Sequence, residues 1–244
     1  MRRVVFLIVP LLALMPALAA ADSPKEKPKE KPKTEKPASA AEQFGAIDKE
    51  LEALKVEAEK QFEEAKTRQE KQKIVADYQK KLRDKIRALA PRILELVGQH
   101  PANDKALGSL YLVMNFTQGT PSHDKAVVLL RKVAEKNSKK EIQVQATFLL
   151  AKKLKEKSES PDTNKADGEK AAREAEELYA KIEEKYADVN KDITEQAKTE
   201  LFELRNLAIG KTPPDIEAED ADGNKFKLSD YRGKVVVLDF WAEW

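Results

Sequence analysis

Cysteine is absent from all 244 residues, and that excludes more than any residue present. Structural disulfides are impossible, and so is thiol chemistry carried by these residues, because exchange needs a thiolate nucleophile. Histidine occurs only at His100 and His123, each in a loop and neither with a second ligand at helical or loop spacing, so no metal site is expected. Glycine is scarce and dispersed, eight in all, and no G-x-x-x-x-G-K-S/T run exists to cradle a phosphate. No G-x-S-x-G elbow is present for a Ser/His/Asp hydrolase. Aromatic residues make up 6% of the chain. No cofactor is expected.

An excess of one charge is lacking as well. Removing Arg2 and Arg3 from the 45 Lys+Arg leaves 43, level with the 43 Asp+Glu. A near-neutral body gives no general attraction to nucleic acid. At 36% charged residues, acid pairs such as Glu63-Glu64 and Glu176-Glu177 read as solvated helix faces.

Arg2 and Arg3 precede the apolar stretch Val4–Leu18, and the small residues Ala17-Leu18-Ala19-Ala20-Ala21 follow it. That order is the n-region, h-region and cleavage pattern of a secretory signal peptide over 1–21, cut after Ala19 or Ala21. Pro10, Pro16 and the short apolar core argue against a stable membrane span. The expected location is therefore exported, periplasm or cell surface. Any membrane association would come only from an uncleaved N-terminal segment. With no cysteine after the apolar core, lipoprotein anchoring is excluded. Residues 22–40, centred on SPKEKPKEKPKTEKPAS, form a disordered Lys/Glu/Pro linker with frequent prolines and nothing apolar to bury.

The spacing over 41–207 predicts helices almost throughout. Phe44, Ile47, Leu51, Leu54, Ala58, Phe62 and Ala65 recur at three and four residues, and the stripe resumes at Val75, Tyr78, Leu82, Ile86 and Leu89. Such length suggests a coiled coil or a helix folded back on its neighbours. Gln69 and Gln72 fall on the stripe and weigh against a strict coiled coil. Pro91 is expected to end or kink the helix, with a short continuation closed by Gly98. Five shorter amphipathic segments follow: Asp104–Phe116, Ser122–Lys136, Lys140–Lys157, Lys165–Tyr186 and Asp192–Leu207. Paired in this way they suggest either a plain helical bundle or tetratricopeptide-like packing, without a W-x-x-L-G-x-x-Y signature.

The last stretch changes character. In LAIGKTPPDIEAEDADGNKFKLSDYRGKVVVLDFWAEW, Asp222-Gly223 predicts a hairpin turn between Ile216–Glu219 and Phe226–Leu228. Ser229 to Gly233 reads as one helical turn with Ser229 as N-cap and Gly233 as left-handed stop. Val235–Trp241 is apolar on both alternating faces, the pattern of a strand buried on both sides, interrupted by the acid Asp239.

That ordered run, 208–244, resembles the opening of a redoxin domain, the thioredoxin-like fold of thiol-disulfide oxidoreductases and alkyl hydroperoxide reductase relatives. FWAEW resembles the thioredoxin segment that leads into a Cys-x-x-Cys site. The resemblance implies a fold that is mainly α, then an incomplete α/β thioredoxin-like domain, truncated before that motif. It implies thiol-disulfide oxidoreductase activity, favoured by FWAEW over a peroxiredoxin-like peroxidase. The chain itself would be inactive as given, and a helical scaffold or adaptor with a vestigial redoxin segment is the alternative. Partners would be protein thiols or disulfides; the oligomeric state stays open. By the resemblance Asp239 would relay a proton beneath the redox pair if one followed, with its pKa raised by desolvation. Trp241 and Trp244 would flank the site, and Pro213-Pro214 would form the leading kink. A central strand left uncovered forgoes roughly 1.5–3 kcal/mol for each large apolar side chain. An incomplete reading frame is therefore the more economical expectation. Its rival is a stub covered by the helical region or by another chain.

Overall fold

A computed structural model describes residues 38–239 and 241. The expected signal peptide, nearly all of the expected linker, and Trp244 lie outside the described residues. Among those described, no helix is long and apolar enough to cross a membrane. Seven helices come first among the described residues: α1 (Ala40–Glu64), α2 (Arg68–Gln99), α3 (Ala106–Phe116), α4 (Pro121–Lys136), α5 (Lys140–Glu159), α6 (Lys165–Lys185) and α7 (Lys191–Asn206). A short hairpin of β1 (Glu217–Glu219) and β2 (Lys225–Lys227) follows, then a 3-10 turn, Leu228–Tyr231. The fold is mainly α with a small incomplete α/β portion, and the five shorter helices lie close to their expected bounds.

The described residues cluster into two compact units, divided between Leu150 and Ala151. The division falls inside α5, whereas the change from helices to hairpin falls after α7.

In the first unit the long apolar stripe is broken into two helices. Thr67 accepts from the Glu70 N–H through its hydroxyl, while the Glu70 carboxylate accepts from the Thr67 N–H, a reciprocal cap that starts α2. Ser39 and Glu42 start α1 in the same way. The two helices fold back on each other, as one of the two expectations had it. Pro91 does not end α2, which runs on through Gly98 to Gln99. Pro91 lies on the exposed face, where water can serve the carbonyl that its missing N–H leaves open. The far half of α2 packs against α3 and α4 and buries Ile86, Ala90, Ile93 and Val97 completely. Asn137 closes α4 by donating through Nδ2 to the carbonyls of Pro101 (3.2 Å) and Asn103 (3.1 Å).

The second unit pairs α6 with α7 around Ala175, Tyr179, Ile182 and Ala197, all fully buried. Lys155 lies at its edge, 2.6 Å from Glu200 and 2.5 Å from Glu203. Desolvation draws the Lys155 pKa down, but its hydrogen bonds to the two carboxylates outweigh this and raise it overall. Buried hydroxyls across the helices are satisfied locally: Thr117 donates to Val113 O, Thr147 to Gln143 O and Thr194 to Asn190 O.

Candidate functional site

The C-terminal segment is held by short polar sequence signals rather than by a core. Asp220 organises the hairpin loop: its carboxylate accepts from the N–H of Asp222 (2.9 Å) and Asn224 (2.8 Å) and from Asn224 Nδ2 (3.0 Å). Gly223 supplies the left-handed residue, φ 81°. Asp222-Gly223 thus sits in the turn as expected, inside a longer loop that Asp220 shapes. The strands pair antiparallel, Ala218 opposite Phe226, with ion pairs Glu217–Lys227 and Glu219–Lys225 across them.

A second clamp ties the Pro-rich approach to the turn after β2. Asp215 accepts from the Ser229 hydroxyl and from the Ser229 N–H, each at 2.8 Å. These two bonds hold the Asp215 pKa below the ordinary aspartate range, the hydroxyl contributing most. Asp220 is lowered too, first by the Asn224 side chain. Ser229 therefore does not act as the expected N-cap. It lies within the 3-10 turn, and Lys227 precedes it as the capping position. Gly233 is left-handed as expected, φ 81°. Phe226 meets the Tyr231 ring edge-on, centroids 6.2 Å apart, and Lys234 Nζ lies 5.7 Å from the Tyr231 centroid.

Beyond Gly233 the expected buried strand is not formed. Residues 235–239 carry no regular structure, and Val235 is 98% exposed, Val237 88% and Trp241 81%. The physical reason is the shortage of partners: among the described residues β1 and β2 pair only with each other, so no strand edge is hydrogen-bonded to this run. Asp239 is exposed in the same stretch, so the desolvation that a relay role calls for is not provided by the described residues. The structure pairs Asp215 with Ser229 and Asp220 with Asn224; of these only Ser229 was singled out by sequence reasoning, and as a cap. The signal was there in part, since Asp and Asn in turns bind their own backbone two residues on.

Comparison with known proteins falls on this segment. Residues 209–244 match the model of the AhpC/TSA family. Over 38 residues the chain is 50% identical to the thiol-disulfide oxidoreductase ResA of Geobacillus kaustophilus (strain HTA426) and 47% identical to that of Geobacillus thermodenitrificans (strain NG80-2). It is 42% identical to that of Bacillus cereus (strain ATCC 10987 / NRS 248). Each match covers 16% of this chain and 22% of the relative, so the chain spans about a fifth of the length of the curated relatives it matches. No solved structure matches significantly. Residues 209–244 are part of a redoxin domain, its N-terminal portion.

Proposed function

We propose that the protein is an exported thiol-disulfide oxidoreductase whose reacting thiols lie in sequence beyond residue 244. The observation that carries this reading is the redoxin segment itself: a clamped hairpin and turn followed by an apolar run ending in FWAEW, at 42–50% identity to thiol-disulfide oxidoreductases. With no cysteine, these 244 residues cannot perform exchange. In the complete enzyme Asp239 would become buried when neighbouring strands cover Val235–Leu238. Its carboxyl would then be placed for proton transfer to a buried thiol. Trp241 and Trp244 would border the surface that receives a partner protein's thiol or disulfide. The Arg2-Arg3 and Ala-x-Ala pattern supports export, and the Lys/Glu/Pro stretch a solvated spacer ahead of the helices. The helical region would act as spacer or docking body, with tetratricopeptide-like packing.

FWAEW favours a Cys-x-x-Cys reductase, while the AhpC/TSA match keeps a single-cysteine peroxidase as the second reading. Determining the gene sequence past codon 244 tests all of this. An open frame continuing into Cys-x-x-Cys, with insulin reduction by the longer product and none by this chain, is the expected result. A frame with one isolated cysteine and peroxide turnover selects the peroxidase. A frame that continues without any cysteine overturns the oxidoreductase reading and leaves a helical scaffold.

A further inference from the structure

The tripeptide Ala-Asp-Gly occurs twice in the chain, at 166–168 and at 221–223. The pair Asp-Gly matters chemically because the amide nitrogen of the second residue can attack the side chain of the first. Glycine, with no Cβ, leaves that nitrogen the most open approach. Identical in sequence, the two copies sit in opposite surroundings. Asp167-Gly168 lies in the first turn of α6. The Asp167 carboxylate accepts from Asn164 Nδ2 at 2.7 Å, and the Asp167 N–H donates to Asn164 Oδ1 at 3.0 Å. Gly168 is buried, its N–H donates to Asn164 O at 2.9 Å, and a Cβ there would meet Ser158 O at 3.4 Å. Joining the Asp167 side chain to the Gly168 nitrogen would turn ψ of Asp167 out of its helical value of about −42° and unwind the turn. That turn is anchored by the buried Ala171, Ala175, Tyr179 and Ile182 further along α6.

Asp222-Gly223 lies at the tip of the hairpin, and both residues are exposed. The Asp222 N–H is held by Asp220, but the Asp222 carboxylate itself has no partner among the described residues. One bond guards the nitrogen: the Gly223 N–H donates to Asp220 O at 3.0 Å. It opens whenever the hairpin frays. β1 and β2 are three residues each and exposed apart from the half-buried Ala218 and Phe226, and a lone two-stranded hairpin is only marginally stable in water.

We infer that Asp222-Gly223 is a site of spontaneous modification to isoaspartate, and that the fold protects Asp167-Gly168 from the same reaction. The Gly223 nitrogen bonds to Asp222 Cγ. The carboxyl group loses its hydroxyl together with the amide proton as water, and a five-membered succinimide closes. Water then adds to one of the two ring carbonyls and breaks that carbon's bond to nitrogen. Addition at the side-chain carbonyl restores aspartate. Addition at the main-chain carbonyl leaves the backbone running through Cβ and Cγ, with the α-carboxylate free. The net change needs only water and leaves the mass unaltered. One extra backbone carbon then separates the Asp222 N–H from the Asn224 N–H, so the Asp220 carboxylate no longer accepts from both. The pairing of Ala218 with Phe226 loosens in consequence.

Holding the full chain at neutral pH and physiological temperature for several weeks tests this. Trypsin cuts after Lys165, Lys170, Lys211 and Lys225, so peptides 166–170 and 212–225 report the two sites separately. Electron-transfer fragmentation of each peptide distinguishes isoaspartate from aspartate. Isoaspartate, preceded by a species lighter by one water, should accumulate at Asp222 at least tenfold faster than at Asp167. Unfolding in urea should erase the difference, raising the rate at Asp167 at least tenfold while changing that at Asp222 less than threefold. Asp222→Glu should abolish the product in peptide 212–225, because closure would then need a six-membered ring, with helicity by circular dichroism unchanged. A folded chain with no isoaspartate at Asp222, or with as much at Asp167, overturns the proposal. So does an equal urea response at the two sites, or a product that survives Asp222→Glu. The wild-type ratio and its urea response decide the matter even if the variant fails to fold.

Discussion

Valine has two fates in this molecule. Val97, Val113, Val133 and Val144 are completely buried in the helices, whereas Val235 and Val237 are 98% and 88% exposed. The residue type is the same, and so is its free energy of transfer from water. What differs is how far each must reach for its partners. An amphipathic helix satisfies its own backbone and needs only one apolar face covered, which the next helix in sequence supplies. A strand buried on both faces needs neighbouring strands for its backbone bonds and layers above and below, all from distant sequence. The helical region meets its requirement locally and the redoxin segment does not.

The sharpest way to break this contrast is to truncate one residue on each side. Ile93→Ala, in the closed core between α2, α3 and α4, should cost about 2–5 kcal/mol in urea unfolding followed by circular dichroism. Val237→Ala should fall within about 0.5 kcal/mol in the same measurement, and an equal loss at both sites would refute the contrast. Thr67→Ala, which removes the reciprocal cap at the start of α2, should cost about 1 kcal/mol. Its effect should be confined to increased amide exchange in the first turns of α2. At Gly233, φ 81°, an added Cβ meets open space, so the cost of Gly233→Ala is conformational, about 1 kcal/mol, and local to the 3-10 turn. Nuclear magnetic resonance shifts of Ser229–Lys234 would register it while the helical signals stay put.

The smallest effect is the pH response of the hairpin. Asp215 and Asp220 have folded pKa values below the ordinary aspartate value, so their bonds contribute fully above that value. The contribution is lost as pH falls through their lowered pKa values, below about pH 4. The hairpin should therefore loosen in acid while helix content by circular dichroism barely moves. Asp215→Asn should remove the Asp215 part of that response, and a hairpin titrating near neutral pH would contradict the assignment.

Much of this was legible in residue order. The stripes from Asp104 onward gave helices close to the observed bounds, and Asp222-Gly223 and Gly233 marked the turns because backbone strain there is a property of single residues. The break at residues 65–67 was encoded in Thr67 and Glu70 but hidden by an apolar stripe that continues across it. Of the two outcomes expected at Pro91, an end to the helix did not occur, because the carbonyl its missing N–H leaves open lies on the exposed face, where water serves it. Ser229 was assigned a capping role from its place before Asp-Tyr-Arg-Gly. Asp215, fourteen residues away, claims its hydroxyl instead, a pairing that exists only once the hairpin has formed.

Sequence by itself determined where helices start, where the chain turns left-handed, and that its last stretch is the beginning of a redoxin domain, because caps, glycines and period are local properties. Only tertiary structure decided which apolar residues are enclosed. Val144 and Thr147 are buried while Tyr111 and Phe202 are exposed, and Val235–Leu238 stays exposed without a sheet. Burial belongs to a residue together with what packs against it, and that second half is not written in its own neighbourhood.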